Sequence, residues 1–150
     1  MSFSISFLDE PLIHVFDDPT TPAAVGRIMI SDWDETFISS LHLWSKRDYE
    51  AQWRHAIASL LSGNEKAALI VEYLGPEAKH LRWWPMYRIE DTVYFQEQIL
   101  FFDQLEEPFL LEKAFSFVGE RKTISEDGQR ISEWTVGLRD VGEFARLLST

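Results

Sequence analysis

The residues to test first for chemistry are the four histidines, His14, His42, His55 and His80, because imidazole titrates near neutral pH and is the commonest metal ligand. None falls in a His-x-x-x-His, His-Glu-x-x-His or His-x-Glu spacing, so the sequence offers no pair aimed at one metal. His55, beside Arg54 in an aromatic and aliphatic run, reads as a polar-face or core-edge residue. No Gly-x-Ser-x-Gly elbow is present, and Ser62-Gly63-Asn64 has the composition of a helix C-terminus. The seven glycines are scattered and form no phosphate-binding frame. The chain has no cysteine, which excludes a thiolate nucleophile, a disulfide framework and a Cys-based metal site. The one set from which a small enzyme could be assembled is His80, Arg82 and nearby carboxylates.

Asp32, Asp34 and Glu35 could hold a metal or act as an acid/base pair. On a strand, however, the first two point to one face and Glu35 to the other. A solvated acidic edge that resists strand pairing is the simpler use. The six tryptophans and four tyrosines could stack on bases, but core packing accounts for them more directly. Trp83 and Trp84 are neighbours on a candidate strand and must face opposite sides, which leaves one exposed or in a second packing layer. Lys79, Arg82 and Arg88 come nearest to a nucleic-acid patch, and Glu77, Glu90 and Asp91 spoil it.

The elements that would position these residues follow from periodicity. Asp17-Asp18-Pro19-Thr20-Thr21-Pro22 is turn chemistry, Ala24 to Ile30 a strand, and Asp32 to Ile38 a second strand or bulged extension with an acidic outer face. Ser45 with Asp48 resembles a capping box. Tyr49, Trp53, Ala56, Ile57, Leu60 and Leu61 then recur at helical spacing up to Gly63. Ala67 to Tyr73, His80 to Ile89 and Thr92 to Phe102 read as strands, the last two joined at Glu90-Asp91. Leu110, Leu111, Ala114, Phe117 and Val118 suit a short helix entered at Pro108, and Arg121 to Trp134 a hairpin around Glu126-Asp127-Gly128. Asp140 and Glu143 cap a terminal helix with Val141, Phe144, Ala145, Leu147 and Leu148 as its apolar stripe. The sum is an α+β domain of antiparallel β-sheets with flanking helices, one domain over residues 1–150.

Size and charge bound the function. The 150 residues, 45% hydrophobic and 14% aromatic, suffice for one core. The net charge is −11, and residues 1 to 44, with seven acids and one base, carry −6 of it. Such a surface repels phosphate and favours a basic protein partner. A start without a basic n-region, and no window of roughly 20 apolar residues, give no sign of export or of a membrane span. The cytoplasm is the expected location, with no cofactor, no nucleic acid and no membrane partner.

Four local words then occur in order: Leu43-Trp44-Ser45-x-x-Asp48-Tyr49-Glu50-x-Gln52-Trp53; Trp83-Trp84-Pro85-Met86-Tyr87-Arg88; Val93-Tyr94-Phe95-Gln96-x-Gln98-Ile99-Leu100-Phe101; and Ile131-Ser132-Glu133-Trp134. Together they resemble the immunity proteins of contact-dependent growth inhibition systems, the CdiI type, over roughly residues 25 to 149. The resemblance implies an antiparallel sheet assembly similar to the Whirly-like fold. It also implies an inhibitor, not an enzyme, that binds a cognate toxin C-terminal domain one to one. Such a toxin is commonly a nuclease. The family words read as structural: Trp53, Trp83 or Trp84, Tyr94 and Phe101 as core, Gln96 and Gln98 as polar groups on one strand face. Charge, not the family, nominates the partner-binding residues. These are Asp17, Asp18, Asp32, Asp34 and Glu35, the hairpin tip Glu90 and Asp91, and Trp33 as an aromatic anchor. The alternative function is a single-stranded nucleic-acid-binding protein.

Overall fold

Phe3-Ser4-Ile5-Ser6-Phe7 alternates with the period of a strand. A computed structural model describes residues 2–15 and 18–148, with backbone alone at 14, 15 and 18–20. In it this segment is β1 (Phe3–Phe7), followed by β2 (Ile13–Val15), β3 (Asp18–Ile30) and β4 (Trp33–Ser40). All pair antiparallel to β3. β1 and β2 run end to end along one side of it, and β4 takes the other. Phe3, Ile5, Ile28 and Ile30 fill the inner face. Gly26 makes room there: a Cβ would stand 2.3 Å from the ring of Phe37, which lies across it.

Two expectations are corrected here. Of the expected turn 17–22, Asp17 lies outside the described residues, and Asp18 to Pro22 open β3 instead. β4 ends opposite Ala23, so the prolines sit where β3 has a strand neighbour on one side only and no ladder donor is required of them. Asp32 is not on a strand: with Ser31, at φ 57°, it forms the turn that sets Ile30 opposite Trp33.

Helix α1 (Lys46–Leu61) starts with the expected capping box, Ser45 accepting from the Asp48 N–H and Asp48 from the Ser45 N–H. Tyr49, Trp53, Ala56, Ile57 and Leu60 are buried. At its end Gly63, at φ +117°, lets the Asn64 N–H turn back to Ser59 O, and the Arg88 guanidinium donates to Leu60 O at 2.8 Å.

The second sheet holds β5 (Lys66–Glu72), β6 (His80–Ile89), β7 (Thr92–Phe95), β8 (Gln98–Phe101) and β9 (Trp134–Gly137), and α2 (Leu138–Leu148) closes the chain. The strand expected over 92–102 is split in two. Its halves keep the same register on β6, but Pro85 has no N–H to donate where Gln96 lies opposite. Trp83 and Trp84 do face opposite sides, and both are buried. Trp83 lies under the 102–118 segment against Phe109. Trp84 meets Trp134 on the side of the first sheet. Phe3 joins the layers, stacking on Phe95 at 5.1 Å and meeting Phe144 of α2 edge-on at 5.2 Å.

Smaller corrections follow the same logic. The helix expected from Pro108 is a kinked 3-10 segment, Leu111–Phe117. The 121–134 hairpin is a single bridge, Ile124 with Arg130, around Gly128. Leu147 is 71% exposed instead of completing the α2 stripe. Phe101 is outside the core at 43% exposure, because Leu100 takes the inward position on β8 and Phe101 turns beside His80.

β5 is an edge strand whose outward backbone groups are met by side chains. Gln52 accepts from the Ile70 N–H and donates to Ala68 O, both at 2.8 Å, and Trp53 donates its indole N–H to Ile70 O at 2.8 Å. Tyr49 accepts from the Tyr73 N–H and donates to Ser40 O, and Ser39 donates to Val71 O. Burial pushes the Tyr49 phenol up to about 12, so it stays a neutral donor. Gln52→Ala is expected to cost about 1–3 kcal/mol, as for an orphaned buried backbone group. A lowered urea midpoint with Arg54→Ala, on the exposed face, unchanged would show this; equal midpoints would mean that water serves the edge instead.

Candidate functional site

The nominated acids fall into two environments. The β3–β4 turn carries Asp32, fully outside, and Asp34 follows on the outer face of β4, where Arg27 holds it at 2.6 Å. Trp33 between them is 41% exposed and stacks on Trp134 at 5.1 Å, which in turn packs on Trp84. Its rotamer is therefore fixed by the core while one face of the ring stays open. Glu90, at φ 56°, and Asp91 form the β6–β7 turn, both exposed. The two turns come to β9 and to its exit: the Ser31 hydroxyl donates to Thr135 O in β9, and the N–H of Leu138, the first residue of α2, donates to Asp91 O. Asp32, Trp33, Glu90 and Asp91 thus rim β9. Asp18 begins β3, away from these turns along that strand.

Glu35 does not join that rim. Its strand parity places it on the inner face with Trp33 and Phe37, at a groove of about 870 Å³ between the free edge of β4 and strands β6 and β8. Ile13, Ile38, Trp84, Glu97 and Ile99 also line it. The Glu35 carboxyl is pushed up to about 7 by a hydrogen bond with Glu97, by burial and by the Glu97 charge. Neighbouring Glu72 receives Arg82 at 3.5 Å and His80 at 3.8 Å. Glu97 escaped nomination. Its strand parity with Phe95 and Ile99 placed it on that face, but no local pattern tells which acid across the groove it meets.

The polar residues of the family words have structural work. Gln98 accepts from the Trp83 indole N–H at 2.9 Å. Gln96 donates to Lys122 O and to Glu133, and Arg121 grips Glu133 at 2.6 and 2.8 Å while lying 4.2 Å over the Tyr94 ring. That guanidinium holds the Glu133 carboxyl below its ordinary value. The basic residues form no phosphate track: Arg88 serves the α1 terminus and Arg82 serves Glu72. Among the described residues no three His, Asp or Glu side chains converge as a metal site, and no helix is long and apolar enough to cross a membrane.

Known proteins share this architecture. A family model described as the CdiI N-terminal domain matches residues 39–144. The immunity protein CdiI of Enterobacter cloacae subsp. cloacae is 30% identical over 123 residues, covering 81% of this chain and 84% of that protein. A chain in the solved CdiA-CT/CdiI toxin and immunity complex from Enterobacter cloacae matches at TM-score 0.87 and 26% identity, with 98% of each chain covered.

The carboxyl pair makes a prediction about stability. Because Glu35 binds its proton more tightly folded than unfolded, its contribution is complete below the ordinary carboxylate range and is lost as pH rises through about 7. Glu35→Gln keeps a donor toward Glu97 without titrating. The urea midpoint of this variant should match the parent at pH 5 and exceed it at pH 7.5. Parallel pH profiles would show that the two carboxyls do not share a proton.

Proposed function

This chain belongs to the CdiI family of immunity proteins, and we propose that it binds a cognate CdiA-type C-terminal toxin domain and neutralises it in the cytoplasm of the cell that makes both. The observation that carries this reading is the match, over 98% of both chains, to a chain of a toxin and immunity complex. In this reading the protein acts by stoichiometric binding, one to one, and performs no catalysis of its own.

The finer reading concerns the surface and the target. We propose that the toxin domain is a basic nuclease and that acids of this chain cover the lysines and arginines with which it holds RNA or DNA. The net charge of −11 supports this, as does the rim on β9, where Asp32, Glu90 and Asp91 stand exposed around the half-open Trp33. Exposed carboxylates of this kind raise association rates toward ~10⁸ M⁻¹s⁻¹ at low salt, and an aromatic with a fixed rotamer suits a central anchor. Asp17 and Asp18 are proposed as further contacts on their charge alone. Asp34 contributes less, being held by Arg27.

Co-purification with the toxin domain encoded beside this gene, and assay of that domain's nuclease activity with and without equimolar protein, tests the function. A one-to-one complex with lost activity is the expected result, and no complex at low salt would overturn the reading. For the surface, Asp32→Lys combined with Glu90→Lys should slow association about tenfold or more at low salt and flatten its salt dependence, the dissociation rate changing less. Unchanged kinetics would remove the β9 rim from the interface.

A further inference from the structure

The groove beside β4 has apolar rims, the carboxyls of Glu35 and Glu97 at one point, and the ion-paired Glu72 and Arg82 elsewhere in its lining. Ile13, Ile38 and Ile99, exposed by 37, 49 and 38%, line it with Glu35 and Glu97. Both carboxyls line this one groove, and Glu97 beside it raises the proton affinity of Glu35. The charged neighbours are otherwise engaged. From β6, Arg82 and His80 point to Glu72 of β5, and Arg27 of β3 holds Asp34 on the opposite face of the first sheet. Among the described residues no Lys or Arg forms an ion pair with Glu35 or Glu97. Beside Glu97, Glu35 holds its proton more tightly than an ordinary carboxyl, and no cation among the described residues is paired with either group. A guanidinium satisfies the two groups better, since its planar fork donates to two carboxylates at once and brings the missing positive charge.

Resting on the reading that this chain binds a toxin domain, we infer that the groove is a docking site for a basic side chain of that domain, an arginine inserted between Glu35 and Glu97 with its aliphatic stem against Ile38 and Ile99. Charge complementarity selects this occupant. An apolar residue would leave the carboxyls as they are, and an acidic one would add a third like charge. The groove, at about 870 Å³, has room for the side chain and part of the segment that carries it. The arginine replaces the shared proton, so complex formation releases it, and affinity rises with pH until the free pair has lost that proton at about 7. Because His80 and Glu72 also stand near the groove, the difference between parent and Glu35→Gln is the diagnostic quantity.

The test is calorimetric titration of the toxin domain encoded beside this gene into the parent protein, Glu35→Gln, Glu97→Gln and Ile38→Lys. It is run at pH 5.5, 6.5 and 7.5, in buffers of different ionisation enthalpy so that released protons are counted. For the parent, Kd should fall by up to about tenfold per pH unit below pH 7, with proton release approaching one. Glu35→Gln should bind about tenfold or more weakly at pH 7.5, with the slope and most of the proton release gone. Ile38→Lys, at an exposed position that should leave folding intact, should also weaken binding. Parent affinity and parent proton release in both glutamine variants would overturn the groove while leaving toxin binding in place. No binding by the parent at any pH would overturn both.

Discussion

A sheet edge must find partners for the N–H and C=O groups that no strand meets, and in this protein the edge of β5 finds them in side chains. Tyr49, Gln52 and Trp53 lie on one side of α1 because they are spaced three and four residues apart, and together they reach Ala68, Ile70 and Tyr73. Ser39 adds a donor from β4 to the same edge. Strand pairing would have fixed only the distance to a neighbour. This arrangement also fixes the rotation of the helix and pins the end of β4 beside the second sheet. The groove between the sheets exists because β4 is held at β5 by its last residues while its earlier ones stay apart from β6.

The electrostatics follow the same division between what is held and what is left open. Glu133 is gripped by Arg121 and Gln96, Asp34 by Arg27, and Glu72 by Arg82. Asp32, Glu90 and Asp91 are left to solvent in two turns. Glu35 and Glu97 meet at the groove instead, Glu35 partly withdrawn from water and Glu97 exposed. Part of the excess of acid over base thus stands as a rim around β9 and a notch beside β4.

Much of this was legible in residue patterns. The Ser45 and Asp48 box, the run from Tyr49 to Leu60, and the hairpin at Glu90-Asp91 came from spacing and capping rules that act over a few residues. The alternation of Phe3, Ile5 and Phe7 is equally a strand signal, and β1 forms on it. Pro19 and Pro22 argue for a turn until one knows that β3 outruns β4, a fact about sheet order. Leu147 and Phe101 look like core by composition and are not, because burial depends on whether another layer arrives opposite them. For the candidate site, acidity and the two turns were readable. The meeting of Glu35 with Glu97 was not, since two residues brought together by packing one sheet beside another leave no mark in either local sequence.

One small feature, the proline in the middle of β6, has a consequence for how such a protein diversifies. Pro85 interrupts the ladder, yet β7 and β8 resume on β6 in one register, so the interruption is a gap and not a shift. An exchange of the exposed Glu97 would be absorbed there without moving either flanking strand, while the buried Gln96 beside it keeps its bonds to Lys122 and Glu133. Glu97 occupies that gap and faces the groove. The fold can therefore offer a new chemical face at this point while its core stays unaltered, which is what an inhibitor needs if it is to follow a changing adversary and ignore the adversaries of its neighbours.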